Sequence, residues 1–222
     1  MCEIVCNHND ISVEVAVTLK KSLVMCSKNR SIVCWFYKIF PMEQNSEILR
    51  IIHTYCKDSQ LLDIVLRHSR AVADKAISIA RKHPELNADV RFIEEAAMLH
   101  DIGVVGVDAP AIACRGTEPY IKHGILGAEI LRREGLERHA LVCERHTGTG
   151  LTLQQIAAQK LPLPLRDMQP VSVEEQIICF ADKFFSKTRL DSEKTVEQAR
   201  RSLEKFGQEG LEKFDSWCKI FL

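Results

Sequence analysis

From residue 61 onward, apolar positions recur at steps of three and four, the spacing of one face of an α-helix. In "LLDIVLRHSRAVADKAISIARKH" the residues Leu61, Val65, His68, Val72, Ala76 and Ile79 form a single stripe about six turns long, and Pro84 ends it. A second helix is predicted from about Asp89 to Asp101, with Ile93, Ala97 and His100 on one face and Gly103 as its stop. A loop over 104–120 carries Gly106, Pro110, Gly116 and Pro119. "YIKHGILGAEILRREG" then reads as helical with His123 in its first turn, and "LERHALVCERH" as a short helix that ends at His146 before "TGTG". "LTLQQIAAQ" adds another helix, and the proline-spaced "KLPLPLRDMQP" an extended loop. Ser172 and Glu175 in "SVEE" fit a capping box that opens a helix carrying Asp182. One or more final helices cover about Thr195–Ile220. Beyond Pro41 the pattern predicts neither strand nor repeat. The fold class expected is an all-α globule of about seven helices.

Residues 1–41 follow a different rule. "ISVEVAVTL" alternates like a strand, "SIVCWFYKIF" is a short apolar run, and the secretory-signal pattern is missing. Two readings stand side by side. Either 1–41 is an accessory extension, or translation begins at Met42, where "MEQNSEILRIIHTY" opens a helical domain spanning 42–222. No function is assigned to the extension.

The chain has 222 residues, room for one sizeable domain. Lys and Arg together number 30, as do Asp and Glu, so no global field recruits nucleic acid or an anionic membrane. No apolar run approaches the ~20 residues that span a bilayer. Nine cysteines at irregular spacing, without a CxxC pair, read as reduced thiols of a cytoplasmic protein. Cys2, Cys6 and His8 lie close in sequence but lack a fourth zinc ligand. The expected partner is therefore a small molecule, drawn by a local site.

The chemistry lies in polar residues that occupy apolar positions. His68 sits inside the long stripe, and "AAMLHDIG" ends an apolar helix on His100 and Asp101. A buried imidazole beside a buried carboxylate is costly unless something neutralises both. His123, His146 and Asp182 repeat the anomaly on other helices. His83, before Pro84, and His139, after "LER", read instead as surface residues. Taken singly, each of the six is compatible with an ordinary hydrogen-bonded core residue. As structural residues they would need six separate hydrogen-bonding solutions, whereas a single centre satisfies all six. Imidazole and carboxylate donors suit divalent first-row metals such as Mn, Fe, Co, Ni or Zn. Six protein ligands exceed the three usual at a lone catalytic zinc, so two metals sharing a carboxylate account better for the count.

The order H…HD…H…H…D, at His68, His100–Asp101, His123, His146 and Asp182, resembles the HD superfamily of metal-dependent phosphohydrolases. "HDIG" at 100–103 is one of its common variants, and the resemblance covers about residues 60–190. "HGILGAEIL", "HTGTG" and "ICFADKF" look like later motifs of the two-metal branches. These include HD-type dinucleoside tetraphosphate hydrolases and, more distantly, HD-GYP cyclic-dinucleotide phosphodiesterases. Small uncharacterised HDIG proteins with "ERH.G.G" followed by "LP…P…EE…ADK" are similar too.

The resemblance implies that His68, His100, Asp101 and Asp182 hold one metal. It implies further that Asp101 bridges to a second metal completed by His123 and His146. Val104 stands where the HD-GYP group has lysine, and "GYP" does not follow "HTGTG", which argues against cyclic di-GMP.

The implied reaction is hydrolysis of a phosphate ester or anhydride, of a nucleotide or a related small molecule, by water activated on a metal pair. Asp101 is the catalytic candidate, as bridging ligand and orienter of that water. Lys183, beside Asp182, is the first candidate for substrate phosphate, followed by Arg145 beside His146 and Lys122 beside His123. Helix neighbours point about 100° apart, so adjacency alone does not bring these cations to the site. A binding module that keeps the metals without turnover, a helical scaffold, and a two-metal HD oxygenase are the competing readings.

Overall fold

The computed structural model describes residues 46–222. The strand-like stretch, the apolar run, Met42 and the group of Cys2, Cys6 and His8 lie outside the described residues.

Helix α1 (Ser46–Tyr55) leads through a short turn into α2 (Ser59–Lys82), whose N-terminus is capped by Asp58 accepting from the amides of Gln60 and Leu61. All six residues of the predicted stripe are buried. After α2 the chain passes Pro84 into a 3-10 turn, Pro84–Leu86, and reverses at Asn87 in the left-handed region. Helix α3 (Val90–Leu99), capped by Asp89, packs along α2.

Helix α3 stops at Leu99, two residues earlier than the pattern predicts. His100 keeps helical dihedrals, but Asp101 leaves the helix at φ −107°, ψ 8°, and the chain continues as a 3-10 turn over Ile102–Gly106. Gly103 is therefore not a helix stop. A Cβ there would lie 2.0 Å from the carbonyl oxygen of His123 and 2.2 Å from the amide nitrogen of Gly127. Its bare backbone lets this turn lie directly against helix α4 (His123–Arg133).

The segment expected as plain loop over 104–120 contains more order than its composition suggests. Strands β1 (Asp108–Ala109) and β2 (Cys114–Arg115) form an antiparallel ribbon, with Asp108 opposite Arg115 and Ala109 opposite Cys114. Helix α5 (Glu137–Arg145) pairs with α4, and the short α6 (Leu153–Ala158) starts from a Thr152–Gln155 capping box. The Ser172–Glu175 box opens α7 (Val173–Asp182) as predicted. The C-terminal segment divides at Gly207 into α8 (Val196–Ser202) and α9 (Gln208–Phe221). The described residues thus hold nine α-helices rather than about seven. None of them is long and apolar enough to cross a membrane. The five described cysteines that the structure resolves as thiols are Cys56, Cys114, Cys143, Cys179 and Cys218.

Helix α7 is the hub, contacting α2, α3, α5 and α9. Its Phe180 is fully buried, with Phe184, Phe214 and Phe221 at ring distances of 5.1, 5.3 and 5.4 Å and Trp217 at 6.4 Å. Dense aromatic packing there fixes the helix whose last residue is Asp182. Phe180→Ala is expected to cost about 3–5 kcal/mol of stability, read by urea unfolding. A loss below about 1 kcal/mol would contradict a close-packed hub.

Candidate metal centre

Five helical segments deliver the six polar residues to one place. His68 comes from the middle of α2; His100 and Asp101 follow the last residue of α3. His123 opens α4, His146 follows the last residue of α5, and Asp182 ends α7. Asp101 lies at the centre with no solvent exposure. Its two oxygens face different donors. Oδ2 is 3.1 Å from His68 Nε2 and 2.9 Å from His100 Nε2, while Oδ1 is 3.5 Å from His146 Nε2 and 3.6 Å from His123 Nε2. Asp182 Oδ1 closes the first set at 3.0 Å from His68 Nε2 and 3.5 Å from His100 Nε2. Within each set, His68–His100–Asp101–Asp182 and Asp101–His123–His146, the ligating atoms all lie within 4.8 Å of one another.

The hydrogen bonds decide which atoms carry protons. A carbonyl oxygen only accepts, so a ring nitrogen bonded to one must donate. Nδ1 of His100 donates to Ala97 O at 2.6 Å, Nδ1 of His123 to Tyr120 O at 2.7 Å, and Nδ1 of His146 to Cys143 O at 2.7 Å. Burial, and then the charge a neighbouring imidazole would carry, lowers His123 to about 3; burial lowers His146 as well. Both rings are therefore neutral near pH 7, and each Nε2 is a bare lone pair. Those two Nε2 atoms lie 3.0 Å apart and share the Oδ1 side of Asp101. Three lone pairs converging without a proton between them repel unless a cation joins them. Oδ2 of Asp101 is met by the Lys187 ammonium, whereas Oδ1 faces only the His123 and His146 nitrogens at 3.6 and 3.5 Å, too far for a good hydrogen bond. The donor set fits borderline divalent metals.

Without metal the charges balance differently. Burial alone would raise Asp101, but His100 and Lys187 outweigh it and hold the carboxyl well below its ordinary range. Asp182, also raised by burial, is held low by Lys183, His100 and His68. Burial lowers His100, yet Asp101 and Asp182 prevail and lift it from 6.5 to about 9.

The flanking cations expected at substrate are placed unequally. Lys183 is buried at the cavity wall, but its ammonium is committed to Asp182 Oδ2 at 2.7 Å and His146 O at 3.1 Å. Arg145 turns away to Glu175, at 3.0 Å, and Lys122 to Glu118, at 2.6 Å, so neither lines the cavity. The 100° step between helix neighbours sends each side chain off the ligand's face. His139, expected at the surface, is buried edge-on against Phe92 at 4.9 Å, because that face of α5 packs on α3.

Two residues of the site carry no periodic signal in the sequence. Lys187, in the turn after α7, places Nζ 2.5 Å from Asp101 Oδ2. Tyr120 stacks on His123 at 4.7 Å, a partnership that its spacing of three residues from His123 permits but does not announce. Both border a cavity of about 490 Å³ that opens onto His68, His123, His146 and Asp182. Gly148, at φ +62°, closes another side with its backbone against the ring of Phe206, where a Cβ would come within 3.1 Å.

Residues 65–186 match the HD domain, and the chain belongs to that family. It is 33% identical over 166 residues to a tRNA (cytidine(56)-2'-O)-methyltransferase of Thermoplasma volcanium, covering 74% of this chain and 43% of that protein. It is 36% identical over 129 residues to the protein of the same name from Picrophilus torridus, covering 58% of this chain and 33% of the relative. An uncharacterised protein of Methanocaldococcus jannaschii is 32% identical over 161 residues, covering 71% of this chain and 85% of the relative. The chain thus spans less than half the length of the two methyltransferase-named relatives. No solved structure matches it.

The protonation pattern predicts a stability profile for the metal-free protein. His100 is raised, so the stability it adds is full below pH 6.5 and disappears as pH rises through about 9. His123 is depressed, so the unfolded chain alone takes up a proton below 6.5 and stability falls towards pH 3. The depressed carboxylates add to the acid-side loss. Calorimetry in chelator should find the highest Tm near pH 6.5 and a fall by pH 9; a Tm that climbs from pH 6.5 to 9 would contradict the assignment.

Proposed function

We propose that this chain is a metal-dependent phosphohydrolase that cleaves a phosphate ester or anhydride of a small molecule, a nucleotide being the favoured class. The carrying observation is the division of Asp101, whose Oδ2 faces His68 and His100 while Oδ1 faces His123 and His146. In this reading His68, His100, Asp101 and Asp182 hold one divalent ion, and Asp101, His123 and His146 hold a second. When bound, such a pair activates water and polarises a phosphoryl group.

The chain's own residues do the rest. Asp101 bridges the two halves and orients the attacking water. Lys183, tied to Asp182 and to the His146 carbonyl, positions these two ligands rather than gripping substrate. Tyr120 and Phe206, on the cavity wall, offer aromatic surface to a base or another apolar group. The described residues offer no serine or cysteine hydrolase motif, and Cys143 and Cys179 are buried thiols raised by burial, unsuited to act as nucleophiles.

The tRNA methyltransferase name of two relatives is not carried over. The aligned part makes up less than half of each of those proteins. The residues matching the HD domain, by contrast, include the whole His/Asp cluster, an arrangement suited to metal binding and hydrolysis.

The test is phosphate release from nucleotides and simple phosphomonoesters, with manganese, iron or nickel supplied, for the natural chain and His123→Ala. The variant should hold one metal per chain instead of two and lose at least about 100-fold in turnover. Unchanged stoichiometry, or a natural chain that binds metals and releases no phosphate from any of these compounds, would refute the reading.

A further inference from the structure

Four lysines border the cavity; two are held by hydrogen bonds, and a third, Lys205, is solvent-exposed at its rim. Lys183 is tied to Asp182 and the His146 carbonyl. Lys194 donates to the carbonyls of Lys183 and Phe185 at 3.1 and 3.3 Å, and Lys205 lies over the ring of Phe206 at 5.1 Å. Lys187 differs. Its side chain is 11% exposed, and its ammonium contacts Asp101, the residue common to both ligand sets.

That contact uses the same oxygen, Oδ2, that faces His68 and His100. An ammonium there and a divalent ion among the same donors compete for one set of lone pairs, and like charges that close repel strongly in a buried setting. The turn that carries Lys187 is held by its neighbours, and its ammonium also faces the Tyr120 hydroxyl on the cavity wall. The amide of Thr188 donates to Ser186 Oγ, Lys75 anchors Glu193 at 2.6 Å, and Arg67 pairs with Asp191. Four rotatable methylenes separate this fixed turn from the ammonium.

We propose that Lys187 is the counter-cation of Asp101 in the metal-free chain, and that it becomes a substrate-positioning residue when metals enter. Divalent ions displace its ammonium from Oδ2, and the freed charge turns into the cavity, where it takes a phosphoryl oxygen that the metals leave unbound. This rests on the two-metal reading above, and assigns to that site a phosphate contact from the one cavity lysine whose ammonium touches Asp101, Lys183 and Lys194 being committed elsewhere.

Manganese alone, and then inorganic phosphate with manganese saturating, are titrated calorimetrically into the natural protein, Lys187→Met and Lys187→Arg, with circular dichroism to verify folding. Lys187→Met should bind manganese about tenfold more tightly and phosphate about tenfold more weakly, while Lys187→Arg retains phosphate affinity within about threefold. The metal-free Met variant should also have a lower Tm than the natural protein and regain the difference on adding manganese, because its Asp101 is buried without Lys187. Should Lys187→Met fail to fold, Lys187→Gln takes its place with the same expectations. Manganese affinity that is unchanged or weaker in the variant, or phosphate affinity that is unchanged, overturns the role of Lys187 while leaving the metal centre standing. A natural protein that binds no manganese overturns both together.

Discussion

A carboxylate with no solvent exposure, ringed by imidazole nitrogens, is the constraint around which this fold is organised. Asp101 cannot be left as a bare buried anion, because the desolvation cost of an unpaired charge far exceeds what ordinary packing returns. In the metal-free chain His100, protonated, and Lys187 neutralise it. Neither helps on the Oδ1 side, where the lone pairs of His123 and His146 face each other at 3.0 Å. A cation among these three atoms would relieve that repulsion.

The helices reinforce the same preference. His100 and His146 cap the C-termini of α3 and α5, and Asp182 is the last residue of α7. Three helix C-termini therefore direct their partial negative charge towards the cluster, favouring a cation there. The α2 stripe supplies His68 from the buried face of a long helix, so its position is set by core packing. Gly103 brings the 102–106 turn onto α4, setting His123 against Asp101. Helices and their ends thus place the candidate metal-binding side chains, and the 104–120 and 183–195 segments, which are richer in irregular structure, form part of the cavity wall.

Much of this was legible in the chain itself. His68 stood out because it falls in phase with Leu61, Val65 and Val72, and Asp182 because a capping box placed the start of its helix. Periodicity carries that information, since it reports which residues share a buried face. It says nothing of contacts made by chain segments that return from afar. Lys187 belongs to a short polar turn five residues past Asp182, and only the tertiary path of that turn brings it to Asp101. Gly103 looked like a terminator because helix ends and close backbone contacts both select glycine. Arg145 and Lys122 neighbour ligands in sequence but face Glu175 and Glu118 instead.

The central claim is that Asp101 lies between two cation positions. Crystals grown with manganese and measured at an anomalous-scattering wavelength test it directly. The account predicts two anomalous peaks, one among His68, His100, Asp101 and Asp182 and the other among Asp101, His123 and His146. Density without a peak beside Asp101, or manganese bound only elsewhere on the chain, would contradict it.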